Sequence, residues 1–178
     1  MNLDPAQFLG LKRQTVTLVP YQNQWPELFQ MAKQEIITAI GTHLLDIQHI
    51  GSTSIRHTYA KPILDIAVLI QSDEILNTLI ESLKEIDYHY RGDANDNGGH
   101  VFRKFSTPEV TTHLLHIVEK GNPQWEKWIF LRDYLNQHPE MAEAYANLKK
   151  EIQQKVNNNR KAYTKGKTDF IQSILEKK

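Results

Sequence analysis

The sequence predicts an α+β protein in which a mixed β-sheet is flanked by helices and followed by a helical C-terminal third. Short apolar, β-branched segments typical of strands recur up to about residue 120, with helical periodicity between some of them. After residues 121–123, Gly-Asn-Pro, the strand signals stop and the chain becomes rich in Leu, Ala, Glu, Lys and Gln, which favour helix. Because the strands precede this run of helices, the order favours α+β over a doubly wound sheet.

The length of 178 residues fits one domain of ordinary size. Its 40% hydrophobic and 24% charged content is that of a globular protein able to bury a core without disulfides. We therefore predict a single domain over residues 1–178, with a sheet-containing core at about 12–120 and a helical part at about 123–178.

The elements of the first half follow from changes in hydrophobic period. From Gln24 to Ile40, apolar residues recur at three- and four-residue steps, as on one face of an amphipathic helix. The segment Ile63–Ile70 is nearly all apolar and β-branched, as in a strand covered on both faces, with Asp65 as its one charged residue. Similar patterns predict strands at Thr15–Val19 and Asp46–Ile50 and a helix at Ser72–Ile86.

The second half contains three further strand candidates and then three helices. A segment rich in Asp, Asn and Gly, from Gly92 to Gly99, predicts a loop. The strands predicted around it are Tyr88–Arg91, Val101–Phe105 and Thr111–Val118. The predicted helices are Trp125–Leu135, Pro139–Val156 and Thr164–Leu175.

Composition limits the classes of function. The 21 basic and 21 acidic residues cancel, so no overall field attracts nucleic acid, which is not an expected partner. Cysteine is absent, which excludes disulfides, thiolate zinc sites and a cysteine nucleophile. Residues 1–12 lack the apolar centre of a signal peptide, and no apolar stretch is long enough to cross a membrane. We therefore expect a cytoplasmic protein without a membrane partner; the oligomeric state stays open.

One stretch carries the candidate chemistry. A predicted strand ends in a turn of small polar residues whose backbone N–H groups and hydroxyls can hold a phosphate: Gly51, Ser52, Thr53 and Ser54. Asp65 then interrupts an apolar strand, and a buried unpaired carboxylate costs several kcal/mol, so it needs a metal ion, a cation or hydrogen bonds. Arg56 and Lys61 lie between the two and offer charge to a phosphate chain.

A Gly-Ser turn followed by a strand aspartate resembles the signature of the nucleotidyltransferase superfamily. The resemblance implies that the turn holds a triphosphate and that two carboxylates, spaced i and i+2 on one strand face, bind Mg²⁺. More narrowly, the chain resembles the GrpB-like family over nearly its whole length, which implies this fold. The matching segments are Val19-Pro20-Tyr21, Trp25-Pro26, His49–Ser54, Lys61–Ile66, Thr112-His113 with His116, Phe130–Leu135, His138-Pro139-Glu140, Tyr145, Leu148-Lys149, Arg160, Tyr163-Thr164 and Lys167.

The chain departs from the superfamily pattern at one position, because Ala67 stands where the second carboxylate is expected. A predicted neighbouring strand offers His116, which we expect near Asp65 as a metal ligand or general base. His113, three residues earlier, is expected on the opposite strand face. The expected cofactor is a divalent metal, Mg²⁺ or Mn²⁺, with Zn²⁺ as an alternative because imidazole suits it better.

The first functional hypothesis is a metal-dependent nucleotidyltransferase that moves an NMP group from an NTP to a small-molecule or protein hydroxyl. Its catalytic and metal-binding residues would be Asp65 and His116, with His49 orienting the turn. Its phosphate contacts would be Gly51, Ser52, Thr53, Ser54, Lys61 and Arg103. The alternatives are a non-catalytic nucleotide- or anion-binding module with a degenerate metal site, and a His/Asp metal-dependent phosphohydrolase.

Several other residues have a structural interpretation that we favour from the sequence. Arg160 and Lys167 are candidate phosphate contacts, but we favour the interpretation that their side chains are solvated or pair with nearby acids. Adjacent opposite charges predict a structural ion pair between Arg132 and Asp133. Helical spacing predicts that the larger aromatic residues pack the core: Trp25, Trp125, Trp128, Tyr134 and Tyr145.

Overall fold

The computed structural model describes residues 3–93 and 99–178. Within these residues the strands are β1 Leu11–Lys12, β2 Val19–Pro20, β3 Leu44–Ile50, β4 Tyr59–Ala60, β5 Leu64–Ile70, β6 His89–Asp93, β7 His100–Thr107 and β8 Val110–Glu119. The α-helices are α1 Trp25–Ile40, α2 Leu76–Lys84, α3 Pro123–Gln137, α4 Pro139–Lys155, α5 Arg160–Lys165 and α6 Thr168–Leu175. Most of the predicted loop from Gly92 to Gly99 lies outside the described residues.

The main sheet has the strand order β3-β5-β8-β7-β6, so that β5 is an inner strand. β3 pairs antiparallel with one side of β5 and β8 pairs parallel with the other, while β7 and β6 continue antiparallel. β1 pairs with the beginning of β8, and β2 pairs with β4 in a separate two-stranded sheet. Parallel and antiparallel pairs thus occur in one sheet with helices packed on it, which confirms the predicted α+β class.

One face of the sheet packs on α1 and α2 and forms the larger apolar core. Because side chains alternate along a strand, Ile66 and Val68 of β5 point to this side, together with Leu115 and Ile117 of β8. All four are fully buried, as is Ile36 of α1, which belongs to the same cluster. Complete burial of each such side chain contributes about 1.5–3 kcal/mol, so this face supplies much of the stability.

The helices α3 to α6 cover part of the opposite face and form a second, smaller apolar cluster. Its buried members are Ile55, Leu135, Ala142, Tyr145 and Ile174. The β5 residues that alternate towards this face include Asp65 and Ala67, so the aspartate faces the C-terminal helices.

Two predicted elements differ from the structure. The predicted strand Thr15–Val19 is reduced to β2, because the backbone of Val16 is bonded by side chains of the C-terminal part. Its N–H donates to Oδ1 of Asn158 at 2.9 Å, and its carbonyl accepts from Nε2 of Gln153 at 2.7 Å. The predicted helix Thr164–Leu175 is divided between α5 and α6, with Gly166 and Lys167 between them.

None of the helices in residues 3–93 and 99–178 is both long and apolar enough to span a membrane. The expected cytoplasmic location and the single-domain organisation stay predictions.

Candidate functional site

The turn after β3 and the aspartate of β5 are in direct contact. Gly51 has φ 68° and ψ −172°, a conformation that is essentially restricted to glycine. A Cβ atom at this position would lie 2.5 Å from Oδ2 of Asp65 and 2.7 Å from its Cβ. The register explains this contact, since Ile50 at the end of β3 pairs with Asp65. The structure therefore brings together the Gly-Ser turn and the carboxylate, as the sequence predicts.

Two hydroxyls of the turn maintain its shape. Ser54 Oγ donates to the carbonyl of Gly51 at 2.6 Å. Thr53 is buried, and its Oγ1 lies 2.9 Å from Nε2 of His49, which is a contact of the orienting kind expected of this histidine. Neither Thr53 nor Ser54 lines the cavity described below, whereas Gly51 and Ser52 do.

A buried lysine of α4 contacts Ser52. Lys149 is 1% exposed, and its Nζ donates to Oγ of Ser52 at 3.2 Å and to the carbonyl of Tyr59. The same Nζ lies 4.2 Å from the ring centroid of Tyr145, whose hydroxyl is hydrogen-bonded to Ser52. Burial, followed by repulsion from two neighbouring lysines, lowers the pKa of Lys149 well below its ordinary value. This ammonium is thus buried among neutral hydrogen-bond partners.

Those two neighbouring lysines come from distant parts of the chain. The Nζ atoms of Lys61 and Lys167 lie 5.4 Å and 4.8 Å from the ring centroid of Tyr163. Burial and then repulsion from Lys61 lower the pKa of Lys167 to about 8, and attraction to Asp65 acts in the opposite direction. Burial is also the main cause of the lowered pKa of Lys61, again opposed by Asp65. We call Lys61, Lys149 and Lys167 the lysine cluster.

A cavity of about 290 Å³ lies between the sheet and the C-terminal helices. Polar groups from the sheet side and mainly apolar groups from the helices line it, including Gly51, Ser52, Asp65, His116, Trp128, Leu131, Tyr145, Lys167 and Ile171. Trp128 and Tyr145 were expected to pack a core, and here they also form the cavity wall. Lys167, for which solvation or pairing was favoured, reaches the cavity.

Asp65 and His116 form a pair inside this cavity. His116 Nε2 lies 3.5 Å from Oδ1 of Asp65, and the His116 ring centroid is 5.3 Å from that of Trp128. The parallel register places His116 beside Ala67, the position at which the superfamily pattern has its second carboxylate. A strand histidine on the neighbouring strand therefore occupies the place where an acid was expected.

This donor set does not fit a two-metal site. In the described part of the chain, no three His, Cys, Asp or Glu side chains are grouped so that they could hold a metal ion. One carboxylate and one imidazole remain, whereas Mg²⁺ favours octahedral oxygen ligands. The divalent metal proposed from the sequence stays a prediction.

Arg103 lies on the same sheet face as Asp65 but outside the cavity. It pairs in register with Leu114 of β8, which in turn pairs with Asp65. Two strand spacings separate Arg103 from Asp65, which corresponds to about 10 Å between their backbones. It is therefore adjacent to the site without lining it.

The predicted ion pair between Arg132 and Asp133 is present at 2.7 Å. Arg132 also donates to Oε1 of Gln48 at 2.8 Å and to the carbonyl of His49 at 3.0 Å, so it ties α3 to β3. These contacts agree with a structural role.

Sequence reasoning missed Lys149 as a site residue. The signal for it is the buried stripe of α4, where residues recur at steps of three and four: Ala142, Tyr145, Ala146, Lys149 and Ile152. A lysine inside an apolar stripe must have either a partner or a depressed pKa, which makes it a candidate functional residue.

The mixed sheet, the Gly-Ser turn against a strand aspartate, and the surrounding helices define a protein of the nucleotidyltransferase fold class. A Cid1 poly(U) polymerase solved with MgATP superimposes with a TM-score of 0.51 at 13% identity, covering 74% of this chain and 45% of that one. At this identity the likeness shows the fold alone.

The chain belongs to the GrpB family, since the family model described as "GrpB protein" matches residues 15–177. It is 38% identical over 170 residues to the glutamate-rich protein GrpB of Alkalihalophilus pseudofirmus, covering 94% of this chain and 98% of that one. The crystal structure of the conserved protein GrpB from Enterococcus faecalis superimposes with a TM-score of 0.82 at 31% identity, covering 90% and 96% of the two chains. The UPF0157 protein YqkA of Bacillus subtilis is 33% identical over 164 residues, which is 92% of this chain and 47% of that protein.

Proposed function

We propose that this protein binds a nucleoside triphosphate, with the phosphates held between Ser52 and the lysine cluster. The observation that carries the proposal is that three lysine amines lie around the Gly-Ser turn and Asp65. Lys149 donates to Ser52, Lys167 lines the cavity together with Ser52, and the charges of Lys61 and Lys167 interact with Asp65. Within residues 3–93 and 99–178, none of the three amines forms an ion pair with an acid. The site therefore has an excess of positive charge that suits a polyanion.

Electrostatics favours phosphate over a neutral ligand. Burial and mutual repulsion make the lysine cluster costly in the free protein, as the lowered pKa values of its members indicate. Phosphate oxygens would supply the missing negative charge and accept charge-assisted hydrogen bonds from the amines. Because Gly51 has no side chain, its backbone lies directly against Asp65, which keeps that carboxylate beside the Gly-Ser turn.

The helical wall of the cavity suits a nucleobase. Trp128 and Tyr145 provide aromatic surface, while Leu131 and Ile171 provide aliphatic surface, opposite the polar groups of the sheet. Ligand sites commonly combine such an apolar lining with a few placed polar groups. This division favours a nucleotide over inorganic triphosphate.

The test is binding of ATP, GTP, CTP, UTP and inorganic triphosphate, measured by calorimetry and by the shift in melting temperature. We expect at least one nucleotide to bind and to stabilise the protein. Lys149→Met should weaken that binding at least about tenfold, because it removes a charge-assisted contact. Lys150→Met is the matched control, since the neighbouring Lys150 instead stacks on Tyr59, with its Nζ 3.5 Å from the ring centroid.

Two results would count against triphosphate binding. One is the absence of stabilisation by every nucleotide and by inorganic triphosphate. The other is equal binding by the Lys149 and Lys150 variants, because the cluster would then have no part in it. Lys167→Met provides a second variant if the Lys149 substitution impairs folding.

Nucleotidyl transfer is a second candidate, favoured by the Asp65–His116 pair beside the proposed phosphate site. With Nε2–H of His116 donating to Asp65, Nδ1 is the free nitrogen and acts as the general base: the proton of an acceptor hydroxyl passes to Nδ1 while the hydroxyl oxygen bonds to the α-phosphorus. The bond from the α-phosphorus to the bridging oxygen then breaks, and pyrophosphate leaves with that electron pair. The lysine cluster would stabilise the charge on the leaving pyrophosphate.

Transfer is tested with α-³²P-labelled NTPs, a metabolite and protein extract, and either Mg²⁺ or Mn²⁺. Label should appear in an acceptor with the wild-type protein and disappear with Asp65→Asn and with His116→Gln. Binding without labelled product would leave the non-catalytic module as the function. The His/Asp metal-dependent phosphohydrolase stays an alternative, and metal analysis of the purified protein together with metal-restored phosphatase activity tests it.

A further inference from the structure

The site face of the sheet continues beyond the cavity onto β7 and β6. Arg103 of β7 lies on this face and pairs in register with His89 of β6. Arg91, two residues after His89, is exposed, and its guanidinium carbon lies 5.2 Å from the ring centroid of Phe105. Alternation along the strands puts these side chains on the same side as Asp65. The sheet face that carries Asp65 therefore also carries two arginines, outside the cavity.

Two more arginines lie near Arg103. Burial, then repulsion from Arg91, Arg160 and Arg13 in that order, lowers the pKa of Arg103. Arg160 is fixed in place, since its Nε donates to the carbonyl of Thr15 at 2.9 Å and its Nη2 to that of Lys12 at 2.8 Å. The four guanidinium groups keep a net positive charge even when the acidic Asp93, which follows Arg91 by two residues, is counted.

Arg103 also has an unsatisfied donor. Its Nε is buried and has no hydrogen-bond partner among the residues that the structure describes. A buried donor without a partner costs about 1–3 kcal/mol or more when the group is charged. The Arg103 side chain as a whole is partly exposed, so its terminal Nη groups rather than Nε would donate to a phosphate, since arginine is suited to bidentate phosphate contacts.

We propose that Arg103 and Arg91, with Arg160 and Arg13 beside them, form a second anion site that binds the phosphate group of a second ligand. This site lies beside the lysine cluster and outside the cavity, because Arg103 lies two strands from Asp65 and does not line the cavity. The two groups are neighbours: after burial, repulsion from Arg160 and Arg103 helps to lower the pKa of Lys61. The assignment of the second ligand as the acceptor rests on the proposed nucleotide site; the anion site itself does not.

The spacing indicates what kind of ligand fits. A phosphate at Arg103 and a hydroxyl at Asp65 would be separated by roughly the two strand spacings of about 10 Å, or less where side chains reach inwards. A sugar phosphate or one nucleotide unit of an RNA spans such a distance, and both present the same phosphate chemistry. Phe105 and His89, whose ring centroids are 6.1 Å apart, add aromatic surface nearby.

The test uses three probes, measured by calorimetry with and without ATP: inorganic phosphate, ribose 5-phosphate, and a 5′-phosphorylated six-nucleotide RNA. We expect at least one to bind, and Arg103→Gln and Arg91→Gln each to weaken it about tenfold. Lys104→Gln is the control, because Lys104 is next in sequence but pairs with Glu35 at 2.7 Å on the other sheet face. Lys149→Met should leave this binding unchanged.

The outcomes identify the source of the phosphate and test whether the arginines form an anion site. Tight binding of RNA alone identifies a polymer as the source of the phosphate, and binding of ribose 5-phosphate identifies a small molecule. The proposal is overturned if no probe binds, if both arginine variants match the wild type, or if Lys149→Met weakens the probes as strongly as Arg103→Gln. Probe binding without any nucleotide binding would reject the proposed function and leave this inference standing. Because Arg91 is exposed, its variant tests the site even if Arg103→Gln unfolds the protein.

Discussion

The two faces of the main sheet differ in the polar and charged groups that they bury, and two histidines of β8 illustrate the difference. His113 faces the α1/α2 side, where burial and then repulsion from Lys104 lower its pKa to about 3, so it stays neutral. Its Nδ1 lies 2.9 Å from Oγ1 of Thr112, and its ring meets the edge of the Tyr88 ring. His116, three residues later, faces the other side and lies 3.5 Å from Asp65.

The contrast separates stabilising parts from functional ones. The α1/α2 face buries aliphatic side chains, and its Lys104–Glu35 ion pair is partly exposed with the two charges neutralising each other, which is compatible with a core. The opposite face buries amines at a cost to stability that no ion pair within the described residues offsets. Unpaired buried charges of this kind are tolerated where they bind a ligand, because functional sites are commonly less stable than the rest of a protein.

The largest expected effect comes from the contact between the turn and β5. Gly51→Ala places a Cβ 2.5 Å from Oδ2 of Asp65 in a backbone region restricted to glycine. We expect a loss of about 3 kcal/mol in the free energy of unfolding and loss of nucleotide binding. Denaturant unfolding and the ligand-induced melting shift measure both.

Gly121→Ala is the matched control, since Gly121 also has a positive φ, of 93°, but no atom lies within 4 Å of the added Cβ. It should cost about 1 kcal/mol and leave the ligand response intact. Equal effects of the two substitutions would contradict the claim that Gly51 is required by Asp65.

The next largest expected effect is a loss of folding stability at low pH, caused by the buried His113 on the α1/α2 face. His113 has a pKa of about 3 in the folded protein and an ordinary value of 6.5 when unfolded, so the unfolded state binds more protons between these values. Its contribution to stability is therefore complete above pH 6.5 and falls as the pH drops towards 3. His113→Phe should reduce the loss of stability between pH 7 and pH 4.5 by about 2 kcal/mol. His89→Gln, at an exposed position, is the control for the loss of a histidine outside the core.

On the other sheet face, the buried Lys167 should destabilise the free protein at neutral pH. Its pKa is about 8 in the folded protein and 10.5 when unfolded, so stability rises with pH between these two values. Below pH 8 the full cost of the buried charge is present. The pKa difference corresponds to a cost of about 3 kcal/mol at pH 7, and loss of the contact between the Lys167 amine and the Tyr163 ring offsets up to about 2 kcal/mol of the gain. Lys167→Met should therefore stabilise the ligand-free protein by about 1 kcal/mol at pH 7, with the difference disappearing by pH 10.5. Lys165→Met, at an exposed position nearby, should change neither the stability at pH 7 nor its pH dependence. If Lys167→Met instead destabilised the protein, the claim that this lysine is retained for a ligand would be contradicted.

The smallest expected effect distinguishes the contribution of the Asp65 carboxylate to triphosphate binding from that of the lysine cluster. In the presence of EDTA, Asp65→Asn removes a negative charge from the proposed phosphate site and should tighten triphosphate binding about fivefold, or roughly 1 kcal/mol. Asp87→Asn is the control because Asp87 is exposed and follows α2 on the other side of the sheet. Weaker binding by Asp65→Asn without metal would show that Asp65 organises the turn rather than repelling phosphate.

Local patterns predicted most of the fold because each element has a clear period and clear ends. The apolar run with Asp65 predicted β5, and periodicity predicted α1 to within one residue at its start. The segment around Val16 was misread as a strand because its β-branched residues satisfy the propensity, while its actual hydrogen bonds come from residues more than 130 positions away. No local pattern contains such a partner.

The candidate site was predictable only where its residues lie close in sequence. Gly51, Ser52 and Asp65 are separated by a short segment with a recognisable pattern. Lys149 and Lys167 reach the site only because α4 and the break between α5 and α6 pack against the turn. Their charge made them look like surface residues, and tertiary packing decided otherwise.

The central claim is that the lysine cluster is a pre-formed, costly site for phosphates. NMR titration of lysine side chains labelled with ¹³C at Cε, with and without a bound triphosphate, tests it most directly. In the free protein, the Lys167 resonance should titrate near pH 8, and the triphosphate should move this pKa up towards 10.5. An ordinary pKa for Lys167 in the free protein, or a lowered one that triphosphate leaves unchanged, would contradict the account.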